Sequence, residues 1–358
     1  MTKIGVIFGG RSGEHEVSLM SAASVINAID KNKFEVVKIG ITRKGRWLLY
    51  DGPAEKIENG EWQKEAENAF EANPGEYTIN AIDTGKGSLK ERIDFALPIL
   101  HGPYGEDGTI QGLFEMLDIP YGGCGVTSSA LAMDKILAKA VFAKENLPQV
   151  RYIAVMQEDI IENEEAVIKN IENNLAYPVF VKPANMGSSV GVTKVKNNSD
   201  LKKALSVAGK FDRRILVEEG INCREIETAV LGNYKAEVSG VGEIIPSAEF
   251  YDYTAKYFDG GKSRLCIPAD IPAEIAEEIR KVALTAYRLL DCSGYARADF
   301  FIEKGTNKVY INEINTIPGF TKFSMFPLLW NQAGISYPNL IERIITLGYE
   351  RYNAKNRR

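Results

Sequence analysis

The apolar positions along this chain change period several times, and each change marks an element. KIGVIFGG opens as a short unbroken apolar run closed by glycines, the pattern of a buried strand. EVSLMSAASVINAID follows with Val17, Met20, Ala23, Ile26 and Ile29 at helical spacing. FEVVKIGI and RWLLY read as strands, and IDFALPIL reads as another that runs into HGPYGEDG before a helical TIQGLFEMLD. Strand ends that feed glycine-rich loops are where open α/β sheets take their ligands. Pro and Gly punctuate IPYGGCG, residues 119–125, so the first domain, an α/β unit, is expected over residues 1–121.

TSSALAMDKILAKAVFAKEN opens with a Thr-Ser cap region and reads as a single helix. YPVFVKPA and GVTKVKN follow as strands joined by a glycine-serine loop, then a helix at DLKKALSVAGKF and a strand at RILVEEGI. This α+β block is expected over residues 122–218. From CREIETAVLG the chain reads as strands to about residue 250. A long amphipathic helix then carries Ile275, Ile279, Val282, Ala283, Ala286 and Leu290 on its apolar side. A hairpin and a terminal helix over residues 337–347 complete a third domain, residues 219–358, with RYNAKNRR expected as a frayed basic tail.

The hairpin carries the first chemical signal. YARADFFIEKGTNKVYINE has strands rich in aromatic and branched residues around Gly305, Thr306 and Asn307, which suit a three-residue turn. A turn centred on Thr306 sets Asp299 opposite Glu313, and period two places Ile311, Glu313 and Asn315 on one face. Arg297 shares the face of Asp299. Like charges at facing positions are destabilising, so a cation is expected between them. Two carboxylates and an amide oxygen suit a hard ion such as magnesium, which prefers oxygen ligands and often shares them with phosphates. A solvated outer face accounts for alternating polar residues, but less well for two facing acids beside the Pro-Gly of INEINTIPGF.

Composition narrows the classes. With 45% hydrophobic and 25% charged residues the chain reads as folded and soluble. A net charge of −5, with acidic residues gathered over 55–76, argues against a general nucleic-acid surface. Cys124, Cys223, Cys266 and Cys292 are scattered, form no CxxC, and suit a reducing compartment instead of a disulfide frame or zinc site. No apolar run approaches the roughly 20 residues that span a bilayer. The apolar stretch at the N-terminus is too short for a signal peptide. A cytoplasmic protein with no membrane contact is expected.

A phosphate-bearing ligand needs its own binding residues. FVKPANMGSSVGV puts Lys182 at a strand end before a Gly-flanked loop with two hydroxyls, where backbone N–H groups can cradle phosphate oxygens. The lysine precedes the glycines and a strand follows, so this is not a Walker A loop, and GVIFGGRSGEHE does not match GxGxxG. Lys135 in AMDKILAK supplies a second cation, and with the carboxylates at 299 and 313 a nucleotide site is the better reading.

The lysine strand and glycine loop, with RADFF and NEINTIPGFT, resemble the ATP-grasp fold. HGPYGEDGTIQG, SALAMDK, YPVFVKPANMGSSVG and YDYTAKY narrow the resemblance to the D-alanine–D-alanine ligase family. It covers nearly the whole chain, least clearly residues 50–92. The resemblance implies a three-domain fold, with ATP between the central and C-terminal sheets. It implies that Lys135 and Lys182 contact phosphates, Glu218 binds adenine and Glu225 binds ribose. Asp299, Glu313 and Asn315 would hold two magnesium ions, with manganese as a substitute. Arg297 and the Gly319 N–H would stabilise an oxyanion, and Glu14 would accept the ammonium of the first D-alanine.

The resemblance further puts His101 near the substrate carboxylates, while Lys256 and Ser324 take the second substrate's carboxylate. Glu14, Ser188 and Tyr257 would hold a lid over residues 249–262 closed. It also implies a homodimer through the N-terminal domain. Three other readings stay open at this point. One is a nucleotide-binding protein without turnover, against which Arg297 beside the metal face argues. Another is a different carboxylate–amine ligase, such as biotin carboxylase or an L-amino-acid dipeptide ligase. The third is a D-alanine–D-lactate ligase, which commonly has a histidine at the place of Tyr257.

Overall fold

Three sheets carry the architecture, and each reflects its own sequence pattern. The computed structural model describes residues 1–82, 87–246 and 263–356. The N-terminal sheet contains β1 (Thr2–Gly9), β2 (Phe34–Ile41), β3 (Trp47–Leu49) and β4 (Phe95–Ile99), in the order β3-β2-β1-β4. β1 runs parallel to both β2 and β4, and β3 returns antiparallel on β2. Parallel strands covered on both faces read as continuous apolar runs, and residues Ile4–Gly9 of β1 and the whole of β4 are accordingly buried. Residues 50–92 add short helices, of which Trp62–Ala72 seats Trp62 edge-on against Phe8, with ring centroids 5.0 Å apart.

The central sheet contains β5 (Tyr152–Met156), β6 (Val179–Pro183), β7 (Thr193–Val195) and β8 (Arg214–Glu219), in the order β5-β8-β6-β7. The C-terminal sheet contains β9 (Cys223–Leu231), β10 (Glu237–Ile245), β11 (Arg264–Cys266), β12 (Tyr295–Glu303) and β13 (Val309–Asn315), in the order β11-β10-β9-β12-β13. Both sheets are antiparallel throughout. Helices Gln157–Asn174 and Asn198–Ala208 back the central sheet through Ile171, Leu201 and Leu205. Helix Ala273–Leu289 backs the C-terminal sheet through Ile279, Ala283 and Tyr287. Helix Met325–Gln332 covers part of the opposite face of the C-terminal sheet through Ala229, Leu231 and Ile244, and the charged remainder of that face looks toward the central sheet across a cleft.

Several sequence expectations need correction. The stretch expected as one helix over 127–146 is two, Val126–Met133 and Lys135–Lys144. Asp134 breaks them with extended backbone (φ −85°, ψ 99°) and caps the second by accepting from the N–H groups of Ile136 and Leu137. Helix Gln157–Asn174 and helix Met325–Gln332 had no sequence assignment. The terminal helix is longer than expected, Tyr337–Lys355. Its basic end is docked, with the Arg351 guanidinium 3.8 Å from the Tyr121 ring centre and Lys355 paired with Glu115.

The hairpin agrees with expectation at its chemical end and departs from it at the turn. Asp299 does face Glu313. The turn, however, leaves Lys304–Lys308 between the strands, and Ile302, Phe301 and Phe300 pair with Val309, Tyr310 and Ile311. That register alone would set Asp299 against Asn312. A β-bulge between Asp299 and Phe300 leaves Asn312 as the extra residue and restores the Glu313 pairing. The bulge also separates Ile311 from Glu313 and Asn315: Ile311 turns into the core at 0% exposure, while the two polar side chains remain partly exposed.

Candidate active site

A cleft of about 1180 Å³ opens between the central and C-terminal sheets and reaches the N-terminal loops. Glu14, His101, Lys135, Lys182, Ser188 and Glu218 line it. So do Glu225, Arg297, Asp299, Glu313, Asn315, Gly319 and Ser324. Thirteen of the residues singled out in the sequence thus meet in one place. Lys256, Tyr257 and the lid expected over 249–262 lie outside the described residues.

Cations from the central sheet and from helix Lys135–Lys144 cluster around Glu218 and the cleft. Lys182 on β6 donates to Glu218 Oε2 on β8 at 2.5 Å, and Lys139 approaches Glu218 Oε1 at 2.6 Å. Burial alone would raise the Glu218 pKa, but Lys139 and then Lys182 overcome it and hold the carboxyl down to about 2. Burial alone would lower Lys182; Glu218 foremost, with Glu313 and Glu225, turns that into an upward shift. Lys135 donates to the Met186 carbonyl at 2.6 Å and lies 3.7 Å from Glu313 on the opposite sheet. Lys139, a single helical turn beyond Lys135, was not singled out in the sequence.

On the C-terminal sheet the Arg297 guanidinium meets Asp299 through Nε and Nη2, and its Nε also lies 3.0 Å from Glu227 Oε2. Asn315 Nδ2 donates to Asp299 Oδ2 at 2.9 Å. With the Asn315 amide turned over, its oxygen would face the Asp299 carboxylate, an arrangement that only a cation between them makes favourable. Among the described residues no group of three or more His, Cys, Asp or Glu side chains is placed to hold a metal ion. Two facing carboxylates completed by an amide oxygen would suit magnesium.

The N-terminal loops reach the turn after β13. Glu14 Oε1 accepts from the Ser188 hydroxyl, joining the first loop to the glycine loop of the central sheet. Ser188 and Ser189 both have left-handed backbone, with φ 46° and 60°, which shapes that loop. Gly102 (φ +71°) and Gly187 lie so close to the Glu14 carboxylate that a Cβ at either would strike it.

His101 is buried, its Nδ1 lies 2.9 Å from the Ile317 carbonyl and its Nε2 lies 3.1 Å from the Ser21 hydroxyl. A carbonyl only accepts, so Nδ1 carries the proton and Nε2 accepts. Burial lowers the His101 pKa despite the attraction of Glu14. Ser21 in turn accepts from the Phe320 N–H at 3.3 Å.

Glu106, a residue not singled out in the sequence, grips the same turn. Its Oε1 accepts from the Ile317 N–H at 3.1 Å and its Oε2 from the Gly102 N–H at 2.8 Å. Desolvation, then the charge of Glu14, pushes its pKa up to about 8. Its signal was the acid within HGPYGEDG, read there only as part of a glycine loop. Ser324 accepts from the Thr321 N–H at 3.1 Å, and its Oγ lies 2.8 Å from where a Gly319 Cβ would stand. The bare backbone of Gly319 therefore faces a hydroxyl at close range.

Comparison with known proteins gives the family. The D-ala D-ala ligase N-terminus family model matches residues 3–124, and the D-ala D-ala ligase C-terminus model matches residues 141–346. The chain is 54% identical over 356 residues to the D-alanine--D-alanine ligase of Thermoanaerobacter sp. (strain X514), covering 99% of this chain and 98% of that one. Two solved structures superpose with a TM-score of 0.83 each. One is the VanG D-Ala:D-Ser ligase from Enterococcus faecalis, at 38% identity over 97% of this chain and 99% of that one. The other is the D-alanine-D-alanine ligase from Coxiella burnetii, at 35% identity over 99% of this chain and 95% of that one. With both family models together spanning most of its length, the chain belongs to the D-alanine–D-alanine ligase family, an ATP-grasp enzyme family.

Proposed function

We infer that this enzyme ligates two molecules of D-alanine at the expense of ATP, releasing D-alanyl-D-alanine, ADP and phosphate for peptidoglycan precursors. The observation that carries the reading is the facing of two unlike surfaces across one cleft: Lys135 and Lys182 on one side, and Arg297, Asp299, Glu313 and the Gly319 turn on the other. A carboxylate oxygen of the first D-alanine attacks the ATP γ-phosphorus, and the bond to the ADP oxygen breaks. The resulting acyl phosphate is attacked at its carbonyl carbon by the deprotonated amine of the second D-alanine. Inorganic phosphate then departs and the amide remains.

This chain's residues act chiefly by orientation and charge. Glu218 and Glu225 take the adenine and ribose ends of ATP, and Lys135 and Lys182 take its phosphates. Glu14, oriented by Ser188, accepts the first substrate's ammonium. Arg297 and the Gly319 N–H donate to the oxyanion that forms on the attacked carbonyl. His101, with both nitrogens committed to Ser21 and Ile317, contributes by holding the Gly319 turn. Ser324, with Lys256, receives the second substrate's carboxylate, and Tyr257 acts on the choice of second nucleophile.

Asp299, Glu313 and Asn315 would hold two magnesium ions, or manganese in their place. When bound, such ions neutralise charge on the transferred phosphoryl group. The division into domains at residues 122 and 219, a homodimer and a cytoplasmic location belong to the same proposal. Among the described residues no helix is long and apolar enough to cross a membrane. Incubation with ATP, magnesium and D-alanine, with products identified by mass spectrometry, tests the reading. D-alanyl-D-alanine formed with stoichiometric phosphate is expected, and absence of phosphate release with every amino acid offered would overturn it.

A further inference from the structure

Glu218 has a second cation that the reaction does not use. Lys139 and Glu218 are each 2% exposed, and Lys139 sits behind the carboxylate, away from the cleft that Lys135, Lys182 and Glu218 line. Its helix is anchored for this task. Asp134 caps the first turn and is paired with Arg214 at the start of β8. Lys135 and Lys139 therefore leave the same helix face, the first toward Glu313 and the second toward Glu218. Within the sheet Glu218 stands between Tyr152 and Phe180. The Lys139 ammonium lies 5.3 Å from the Tyr152 ring centre and the Lys182 ammonium 5.8 Å from that of Phe180. Each carboxylate oxygen of Glu218 thus meets one ammonium.

We propose that Lys139 is a positioning residue for the nucleotide: it is the standing counter-ion of Glu218, and it frees Lys182 to pass from that carboxylate to the phosphates. The inference rests on the nucleotide site proposed above. If Lys182 leaves Glu218, the carboxylate keeps Lys139. Without Lys139 the same movement strips a buried carboxylate of both lysines, and breaking a buried pair by removing one partner is strongly unfavourable. Lys182 would then stay on Glu218. Each carboxylate oxygen also keeps a free lone pair for an amine donor while both lysines are in place.

The test compares ADP with adenosine, since only ADP engages a cation meant for phosphate. Lys139→Met, Lys139→Arg and the wild type are titrated with each ligand in the presence of magnesium. Lys139→Met is expected to weaken ADP binding about tenfold or more, the effect of losing one modest interaction, and adenosine binding much less. Lys139→Arg should recover most of the ADP affinity. Equal weakening of both ligands, or unchanged ADP affinity, would overturn the proposal. Should Lys139→Met fail to fold, Lys139→Met/Glu218→Gln removes the carboxylate that would trap Lys182, and its preference for ADP over adenosine should match the wild type's. A preference still reduced in that folded variant also overturns it. A wild type that binds no ADP would instead refute the nucleotide site itself, and this inference with it.

Discussion

Arg297 lies side by side with Asp299, two residues along the same strand, its Nε and Nη2 donating to the two carboxylate oxygens at 2.7 Å each. The planar fork fits that pair of acceptors, and a lysine ammonium does not. Arg297→Lys is therefore expected to lower turnover by roughly 100-fold, the scale of losing one oxyanion donor. ATP affinity should change much less. Isothermal titration that finds no ATP binding in a folded Arg297→Lys protein would show that its main role has been misassigned.

Glu313 faces Asp299 and lies within 3.7 Å of Lys135. Glu313→Gln keeps the shape and removes the charge. Turnover should fall strongly and the magnesium concentration for half-maximal rate should rise, while the melting temperature stays close to that of the wild type. Unaltered turnover at limiting magnesium would remove Glu313 from the metal set.

Glu106 gives a pH signature. Its folded pKa of about 8 stands above its ordinary 4.5, so the native state holds a proton that the unfolded chain releases. Its contribution to stability is full below the unfolded pKa of 4.5 and is lost as pH rises through about 8. Glu106→Gln removes this titration, although one of the two backbone N–H groups loses its acceptor. The stability of the wild type relative to the variant should decline across that interval, as read from urea denaturation. Parallel stability–pH curves would refute the assignment.

The role proposed for Tyr257 makes a prediction about the second nucleophile. A protonated histidine there would repel the ammonium of a second D-alanine and spare D-lactate, and the repulsion would fade as the histidine loses its proton. Tyr257→His is expected to raise the D-alanyl-D-lactate share in a mixed-substrate assay, most on the acidic side of neutrality. A product ratio constant from about pH 6 to 8, across the histidine titration, would exclude this account.

The pairing of Asp299 with Glu313 was expected from a turn centred on Thr306, and the partners are right although the geometry behind them is not. A turn centred on Thr306 predicts the right partners only because the bulge at Asn312 offsets the longer turn. The only local trace of the bulge is the pair Asn312-Glu313 between the buried Ile311 and Ile314, a break in alternation that strict period two passes over. Asp134 illustrates a second limit: a helix-compatible run was broken by a residue whose carboxylate is held from β8 by Arg214, a tertiary contact. Glu106 and Lys139 escaped for a related reason. Each acts on something far along the chain, Glu106 on the Ile317 backbone and Lys139 on Glu218, and sequence spacing carries no record of such meetings.

The helix Tyr337–Lys355 ties the last part of the chain to the first. Leu340, Ile341 and Ile344 share one buried cluster with Ile4, Phe8 and Phe95, and Asn233 reaches across to the Leu347 carbonyl. During synthesis the N-terminal sheet therefore emerges long before the helix that completes its core. Early strands must wait with an apolar face uncovered, and contacts so distant in sequence are slow to form. A ribosome-bound chain halted before residue 337 should accordingly engage chaperones, and the native fold should arise only after the final helix is released.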